Sequence, residues 1–445
     1  MKGKNKMSRI QIISLGFIII ILTGVLLLKL PFATKSGEPA DWMTAIFTAT
    51  SATCVTGLVV VDTFTYWSRF GQAVILCLIQ VGGLGFMSIG IFLLVFFKKR
   101  ISLRERGLMQ ESVSALQISG MVRIVKMIIA GTLLFEGIGA VLLSIRFIPM
   151  LGIKEGIFYS VFHAISAFCN GGFDLMGKYG QYSSLVMFYD DWLVNIVIMS
   201  LITIGSLGFL VWQDIRDKKL NFKKYRLHTK IVLVMTFAVL VVSSILFMIF
   251  EWDNTMAGMT VSQRIWSSMF SSVTARTAGF NSVDTGLLTD SSKLLTIFLM
   301  FMGGSPGSTA GGIKTTTVVV VFLYLWSNIR NDTGCNIFGR RLDDEVIKRA
   351  SLVFYINLFL ALGAGLVISA IQQLDFLDIL FEVISAIGTV GMTTGITRSL
   401  NMVSRGILVL LMYCGRVGSM TFAMSFIEKR KNAPVKLPVE KITVG

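Results

Sequence analysis

Histidine occurs only twice, at His163 and His228, and none of the five cysteines forms a CxxC pair. A His-based metal centre or a His-activated nucleophile is therefore not expected. Cys54, Cys77, Cys169, Cys335 and Cys414 are odd in number and mostly lie in apolar sequence, which argues against a disulfide framework or a metal cluster. Charge is also scarce, at 15%, where a soluble domain carries about 25%. Acids within apolar runs are scarcer still, Glu136 being nearly the only one. No nucleotide-binding motif and no catalytic cluster is visible, so neither an enzyme nor a cofactor bound by this chain is expected.

What is present is apolar. The 445 residues are 54% hydrophobic, with a mean hydropathy of +0.74. Apolar runs recur along the whole length, the pattern of an all-α polytopic membrane protein. The first run, 10–30, follows Lys2, Lys4, Lys6 and Arg9. A signal peptide is the competing reading, but its apolar core would be roughly 7–15 residues with a small-residue cleavage site. This run is longer and ends at Lys29-Leu30-Pro31, so it reads as a spanning helix, which needs roughly 20 apolar residues.

The net charge is +16. Its placement points away from nucleic acid, because Lys and Arg cluster at 1–9, 98–106, 216–230, 330–349 and 429–441. The intervening loops carry only scattered charges, the positive-inside pattern. Both termini are therefore expected in the cytoplasm, with an even number of crossings between them. These basic loops either set topology and touch anionic membrane lipid or dock an acidic regulatory partner; 216–230 is the densest.

Between basic segments one unit recurs four times: long apolar run, short amphiphilic run, small-residue turn, long apolar run. The runs are 10–30, 41–52 and 71–97; then 122–147, 155–167 and 187–212; then 231–250, 263–274 and 292–326; then 350–371, 375–386 and 403–427. With the cytoplasmic segments included, the units occupy 1–97, 98–212, 213–326 and 327–427, followed by a cytoplasmic tail at 428–445. A middle run of about 12 residues reaches about 18 Å as a helix. That is roughly half a bilayer core, so each enters from outside and returns. The expected fold is four pseudosymmetric helix–pore loop–helix repeats around one central ion pore, with eight spanning helices.

The turns align as SATCVTGL (51–58), SAFCNGGF (166–173), VTARTAGF (273–280) and SAIGTVGM (385–392). Gly57, Gly172, Gly279 and Gly391 share a column. Ser stands six residues earlier in three units, and Val273 in the third. Irregular backbone at membrane depth must be satisfied by protein, water or ions. Four converging turns would present rings of carbonyl oxygens able to replace the water shell of a monovalent cation. The candidate ion-binding positions are Val55, Thr56, Gly57, Asn170, Gly171, Gly172, Thr277, Ala278, Gly279, Thr389, Val390 and Gly391. Asp41, Glu155 and Asp375 stand near the N-terminal ends of the middle runs, where anions are favoured; Gln263 departs from that pattern. The second helices align too: VGGLG (81–85), IGSLG (204–208) and CGRVG (414–418) match MGGSPG (302–307). Gly82, Gly205, Gly303 and Gly415 follow their turn glycines by 25, 33, 24 and 24 residues. Small residues are common in membrane helices for close packing alone; repetition at one place in every unit favours the ion-binding reading.

On these motifs the chain resembles the Trk/Ktr/HKT superfamily of potassium transporters over residues 10–430, and within it the membrane subunit of a bacterial Ktr system. SAIGTVGM keeps the threonine-valine-glycine core of potassium-channel filters. The resemblance implies potassium uptake across the bacterial plasma membrane, with potassium at the filter positions and sodium open as a transported or coupling ion. It also implies a homodimer and a cytosolic KtrA-like regulatory ring that binds ATP/ADP or NAD. Four filter glycines favour potassium over sodium. A sodium-coupled secondary cation carrier with rocking repeats is the alternative function.

Two features break the symmetry. Arg416 occupies the column of Gly83, Ser206 and Gly304. It is read as an electrostatic barrier in the pore, as a basic residue in the family's last helix implies, or as a cation paired with Glu136 or another acid. The other is GGSPGSTAGGIKTTT (303–317), which interrupts the last helix of the third unit, where the other three units read as intact helices. The interruption is either a gate just inside the filter or a packed kink. Its candidate residues are Gly303, Gly304, Ser305, Pro306, Gly307, Ser308, Thr309, Gly311, Gly312 and Lys314. Few apolar contacts are expected to hold such a loop, so it would be cheap to move. Lys314 either closes on the pore or extends toward the cytosol.

Overall fold

The structure, a computed structural model, describes residues 9–85, 121–219, 221–332, 334–418, 438 and 440. The basic segment 98–106, most of 1–9 and 429–441, and the ends of the runs 71–97 and 403–427 lie outside the described residues.

The chain is mostly helical. The first unit contains α1 (Arg9–Leu28), α2 (Trp42–Thr53) and α3 (Arg69–Leu84). The second contains α4 (Met121–Leu151), α5 (Ile153–Phe168), α6 (Trp192–Ser206) and α7 (Phe209–Lys218). The third contains α8 (Leu227–Phe250), α9 (Val261–Thr274), α10 (Asp290–Phe301) and α11 (Thr315–Ile329). A two-residue-strand hairpin, β1 (Asn336–Ile337) and β2 (Arg340–Arg341), leads to the fourth, with α12 (Asp344–Ile371), α13 (Phe376–Gly388) and α14 (Met402–Val417).

Among the described residues four helices are long and apolar enough to cross a membrane: Gln11–Leu28, Val122–Leu151, Leu227–Phe250 and Asp344–Ile371. Each is the first helix of its unit. They expose Leu26, Leu133, Phe237 and Phe359, apolar residues suited to lipid. The short middle helices form the interior instead. Phe47, Phe162, Phe270 and Phe381 are buried to 1% or less and stand ten, ten, nine and ten residues before their turn glycines.

The middle helices start as their sequences direct. Asp41 accepts from the Met43 and Thr44 N–H groups, and Asp375 from those of Leu377 and Asp378. Each satisfies donors that have no intrahelical partner. Gln263 departs from the acidic pattern because it completes a capping box with Thr260.

The second helices are not intact. α3 stops at Gly85, α6 just before Gly208 and α14 at Gly418, and these glycines have φ of +75°, +93° and +97°. A left-handed residue ends a right-handed helix, and α6 and α7 meet at 94°. The interruption in the third unit is thus an enlargement of the break between α6 and α7 in the second.

Glu136 is not the only deeply buried acid. Glu382 in α13 is also buried and accepts from the Thr393 and Thr397 hydroxyls. Glu251, just beyond α8, is fully buried. It accepts from Asn254, from the Thr255 N–H and hydroxyl, and from the Thr289 N–H and hydroxyl. Burial alone would raise its carboxyl, but hydrogen bonds from Ser292, Thr289 and Thr255 hold it below the usual range. It fixes the start of α10. Glu251→Ala is expected to cost about 3 kcal/mol by leaving those buried donors unsatisfied. Thermal unfolding of the purified protein measures this, and an unchanged midpoint refutes it.

Candidate functional site

The four turns meet. A Cβ added to Gly57, Gly172, Gly279 or Gly391 would lie 2.8 Å or less from the carbonyl oxygen of Gly171, Ala278, Val390 or Thr56 respectively. Each glycine therefore faces the residue preceding the next unit's glycine, and the fourth faces the first. The ring closes in chain order. It floors a cavity of about 370 Å³, whose walls include Asp62, Asp174, Asp284 and Arg398. The segments beyond the turns are tied in the same order. Tyr182 N–H donates to Asp62, Leu185 N–H to the Asn281 carbonyl, and the Thr285 hydroxyl to the Thr393 carbonyl.

Each turn is built by the same local device. Two residues before the ring glycine, Val55, Asn170, Thr277 and Thr389 take φ of +56°, +60°, +78° and +50°. Such values are uncommon for any residue but glycine and are outliers for the β-branched three. Backbone held in such regions persists only where its surroundings over-determine it. The serines of the aligned column supply part of that. Ser51 and Ser385 accept from the N–H groups of Gly57 and Gly391 at 3.1 Å, and Ser166 donates to the Phe173 carbonyl at 2.7 Å. In the third unit Thr274 does this, donating to the Phe280 carbonyl at 2.6 Å. That turn is one residue tighter, which is why Val273 stands in the serine column. The twelve candidate ion-binding residues are thus brought together. The left-handed Val and Thr positions had no signal in the sequence.

The second-helix glycines have a packing role. A Cβ on Gly82, Gly205 or Gly415 would meet the carbonyl of Thr53, Phe168 or Ile387, at or near the end of its own unit's middle helix. Gly303 differs: its Cβ would meet the carbonyls of Gly311 and Ile313 across its own loop.

That loop is closed at its neck. Met302 and Ile313 pair as a parallel bridge. Thr315 donates its N–H to Gly304 at 3.0 Å and its hydroxyl to Gly303 at 2.9 Å. The loop presses against the side of the turns opposite the cavity. Thr309 Oγ1 bonds Asn170 Oδ1 at 3.3 Å and the Phe168 carbonyl at 3.1 Å. A Cβ on Gly311 would collide with Thr389 Oγ1. The backbone is bonded outward as well. Ser305 and Thr309 N–H groups donate to Ser206 and Gly205, the Phe209 N–H to Gly307, and the Gly312 N–H to Gly415. Hence the loop is not loosely held. The expectation of few contacts considered apolar ones, whereas the restraint is polar, each such bond contributing about 1 kcal/mol. Pro306, Gly307 and Ser308 remain partly exposed.

Arg416 does not pair with Glu136, which accepts from Gln80 and, weakly, from Cys169. Its guanidinium donates to the carbonyls of Thr309 in the loop and of Gly82 and Gly83 at the end of α3. It fastens the loop to the first unit. Lys314 neither reaches outward nor crosses the site: Nζ donates to its own loop at Ala310, 2.7 Å, and Gly311, 3.3 Å. Sequence reasoning also missed Arg276. This buried cation lies within the third turn and reaches Thr315 Oγ1 at 3.2 Å, linking turn to loop neck.

The sequence profile of a family described as "TrkH: Cation transport protein" matches residues 5–434. Over 449 residues the chain is 40% identical to "Potassium/sodium uptake protein NtpJ" of Enterococcus hirae, covering 99% of this chain and 98% of that protein. It is 38% identical to "Ktr system potassium uptake protein B" of Bacillus subtilis, covering 98% and 96%. Among solved structures, the potassium transporter TrkH of Vibrio parahaemolyticus aligns with a TM-score of 0.74 at 18% identity, over 96% of this chain and 86% of that one. At that identity the likeness speaks for the fold alone. Matched over nearly its whole length, the chain belongs to the TrkH family of cation transport proteins.

Proposed function

We propose that the chain takes up potassium across the plasma membrane by channel-like passage through the ring of four turns. The observation that carries this is the closed ring itself: four glycines in chain order, each against the carbonyl of its neighbour. A ring of inward carbonyls selects a dehydrated monovalent cation, and the relatives named for potassium uptake support potassium. In this reading the second long apolar run of each unit completes a span, giving eight, with both termini cytoplasmic. The loop 303–314 lies across the inner face of the ring and is the gate, here in its closed arrangement. Arg416 is its latch rather than a free charge in a cavity. The chain works as a homodimer, and a nucleotide-binding cytosolic ring opens the gate from outside the membrane. The Ktr names of relatives support such a system.

Rubidium or potassium uptake into a transport-deficient cell tests this. Uptake is expected to be restored and to increase when the regulatory ring is co-expressed. Flux tightly and stoichiometrically coupled to sodium would instead establish a carrier with rocking repeats.

A further inference from the structure

We propose that the cleft between the linker before α8 and the β1–β2 hairpin binds the phosphate of an anionic lipid headgroup. The cleft has a volume of about 320 Å³ and is lined by Lys223, Lys224, Leu227, Lys230, Phe338 and Arg340. Four cations share it, and no carboxylate lines it. Among the described residues none of the four enters an ion pair. The acids nearest in sequence, Asp217 and Asp343, do not line it, and Asp214 is already engaged. It pairs with Lys218 at 2.8 Å and accepts the Arg226 N–H at 2.7 Å. Like charges gathered without a counter-ion repel, and an anion in the cleft removes that repulsion.

The backbone favours an anion at the same place. Leu227, which lines the cleft, is the first residue of the 24-residue helix α8, and Arg226 at its N-cap makes no side-chain cap. Asp214 takes the Arg226 N–H, which leaves the N–H groups of the following residues in the first turn for a ligand.

Position selects lipid among phosphate sources. α8 is one of the four helices apolar enough to span a membrane, so a cleft at its first turn lies at headgroup depth. The rings of Phe222 and Phe338, both exposed, meet edge-on at 6.4 Å beside the cleft. Phe, with Trp and Leu, forms the apolar face of segments that lie in the membrane interface. Phe338 sits at φ +48° in the two-residue turn of the hairpin, a conformation unusual for so bulky a side chain. Along α8, Val234, Phe237 and Val241 are exposed, leaving an apolar path for acyl chains. Basic pockets beside spanning helices are a recognised form of headgroup site.

A bound headgroup would join two linkers. One leads into α8. The other carries the hairpin, whose preceding Cys335 packs in one cluster with Val320 of α11 and Ile347 of α12. α11 continues directly from the loop 303–314, so occupancy of the cleft would restrain the helix that ends the loop.

The test uses the full chain in nanodiscs of phosphatidylcholine, with or without phosphatidylglycerol. It reads the thermal midpoint and the phosphatidylglycerol retained after delipidation. Lys224 and Arg340 are exposed, so Lys224→Gln/Arg340→Gln leaves the core untouched. The wild type is expected to gain stability and retain phosphatidylglycerol. The double variant should retain about thirty-fold less, as two interfacial cations contribute about 1 kcal/mol each. Lys348→Gln/Arg349→Gln, equal in charge and outside the cleft, should behave as wild type. Equal retention by the two double variants would overturn the site. Inorganic pyrophosphate added to phosphatidylcholine discs is the second arm. A midpoint rise there, lost in Lys224→Gln/Arg340→Gln, with no effect of phosphatidylglycerol, would overturn the lipid source and assign the phosphate to a soluble one. The readout is binding, so loss of transport activity leaves it unaffected.

Discussion

Gly279→Ser is expected to lower potassium uptake relative to sodium uptake by about ten-fold, equivalent to about 1.4 kcal/mol. Two effects act together. Serine would have to hold φ at +82°, and a left-handed conformation costs an L-residue about 1–2 kcal/mol. Its Cβ would also stand 2.5 Å from the Val390 carbonyl oxygen, closer than real Cβ contacts allow. That oxygen must turn away, and the ring loses one of its four sides. A hydrated or smaller ion tolerates the looser ring better than potassium, which needs oxygens in place of its water shell. Gly279→Ala should do the same, since the Cβ and not the hydroxyl is responsible. Competition of potassium and sodium for uptake measures the ratio, and an unchanged ratio in both variants refutes the assignment.

Arg416→Ala is expected to raise potassium flux about ten-fold at equal protein abundance. The guanidinium holds one loop carbonyl and two carbonyls at the end of α3, and bonds to a charged group contribute about 1.5–3 kcal/mol each. Without them the loop keeps its neutral bonds to the second and fourth units and the Arg276 link at its neck, and its open population rises. Arg416→Lys should fall between, because an ammonium cannot span three carbonyls in the guanidinium's fork. Identical kinetics in Arg416→Ala would refute the latch. Deleting part of 307–312 is a harsher version. It removes the acceptor for Phe209 N–H and the donor to Gly415. Raised flux supports a gate, whereas loss of folded protein assigns the loop to packing.

Much of the site was legible because it repeats. One turn sequence would be ambiguous, since SATCVTGL and SAIGTVGM share few residues. Their common glycine, and a serine six residues before it, became visible only across units. The half-helix lengths followed from apolar runs too short to span, and the caps at Asp41 and Asp375 mark their starts. The glycine column of the second helices was also visible, although its principal role is to admit the end of each middle helix.

Other features were hidden for physical reasons. Val55, Thr277 and Thr389 are residues least expected in left-handed backbone, and only the surrounding ring holds them there. The left-handed glycines at the ends of α3, α6 and α14, Gly85, Gly208 and Gly418, lie in apolar sequence that reads as continuous helix. The partners of Arg416 are backbone carbonyls, and those of Thr309 lie more than a hundred residues away. Side-chain chemistry read along a sequence gives no sign of either.

The amino-acid sequence by itself determined the membrane class, the fourfold repetition and the positions of the turns, because these depend on apolar run length and local backbone chemistry. Only the tertiary structure decided that the turns close into a ring, and that the interrupted helix is bonded across the ring's inner face. Those depend on which carbonyls and donors from different units meet. Such pairing has no sequence periodicity, because every residue carries the same backbone groups.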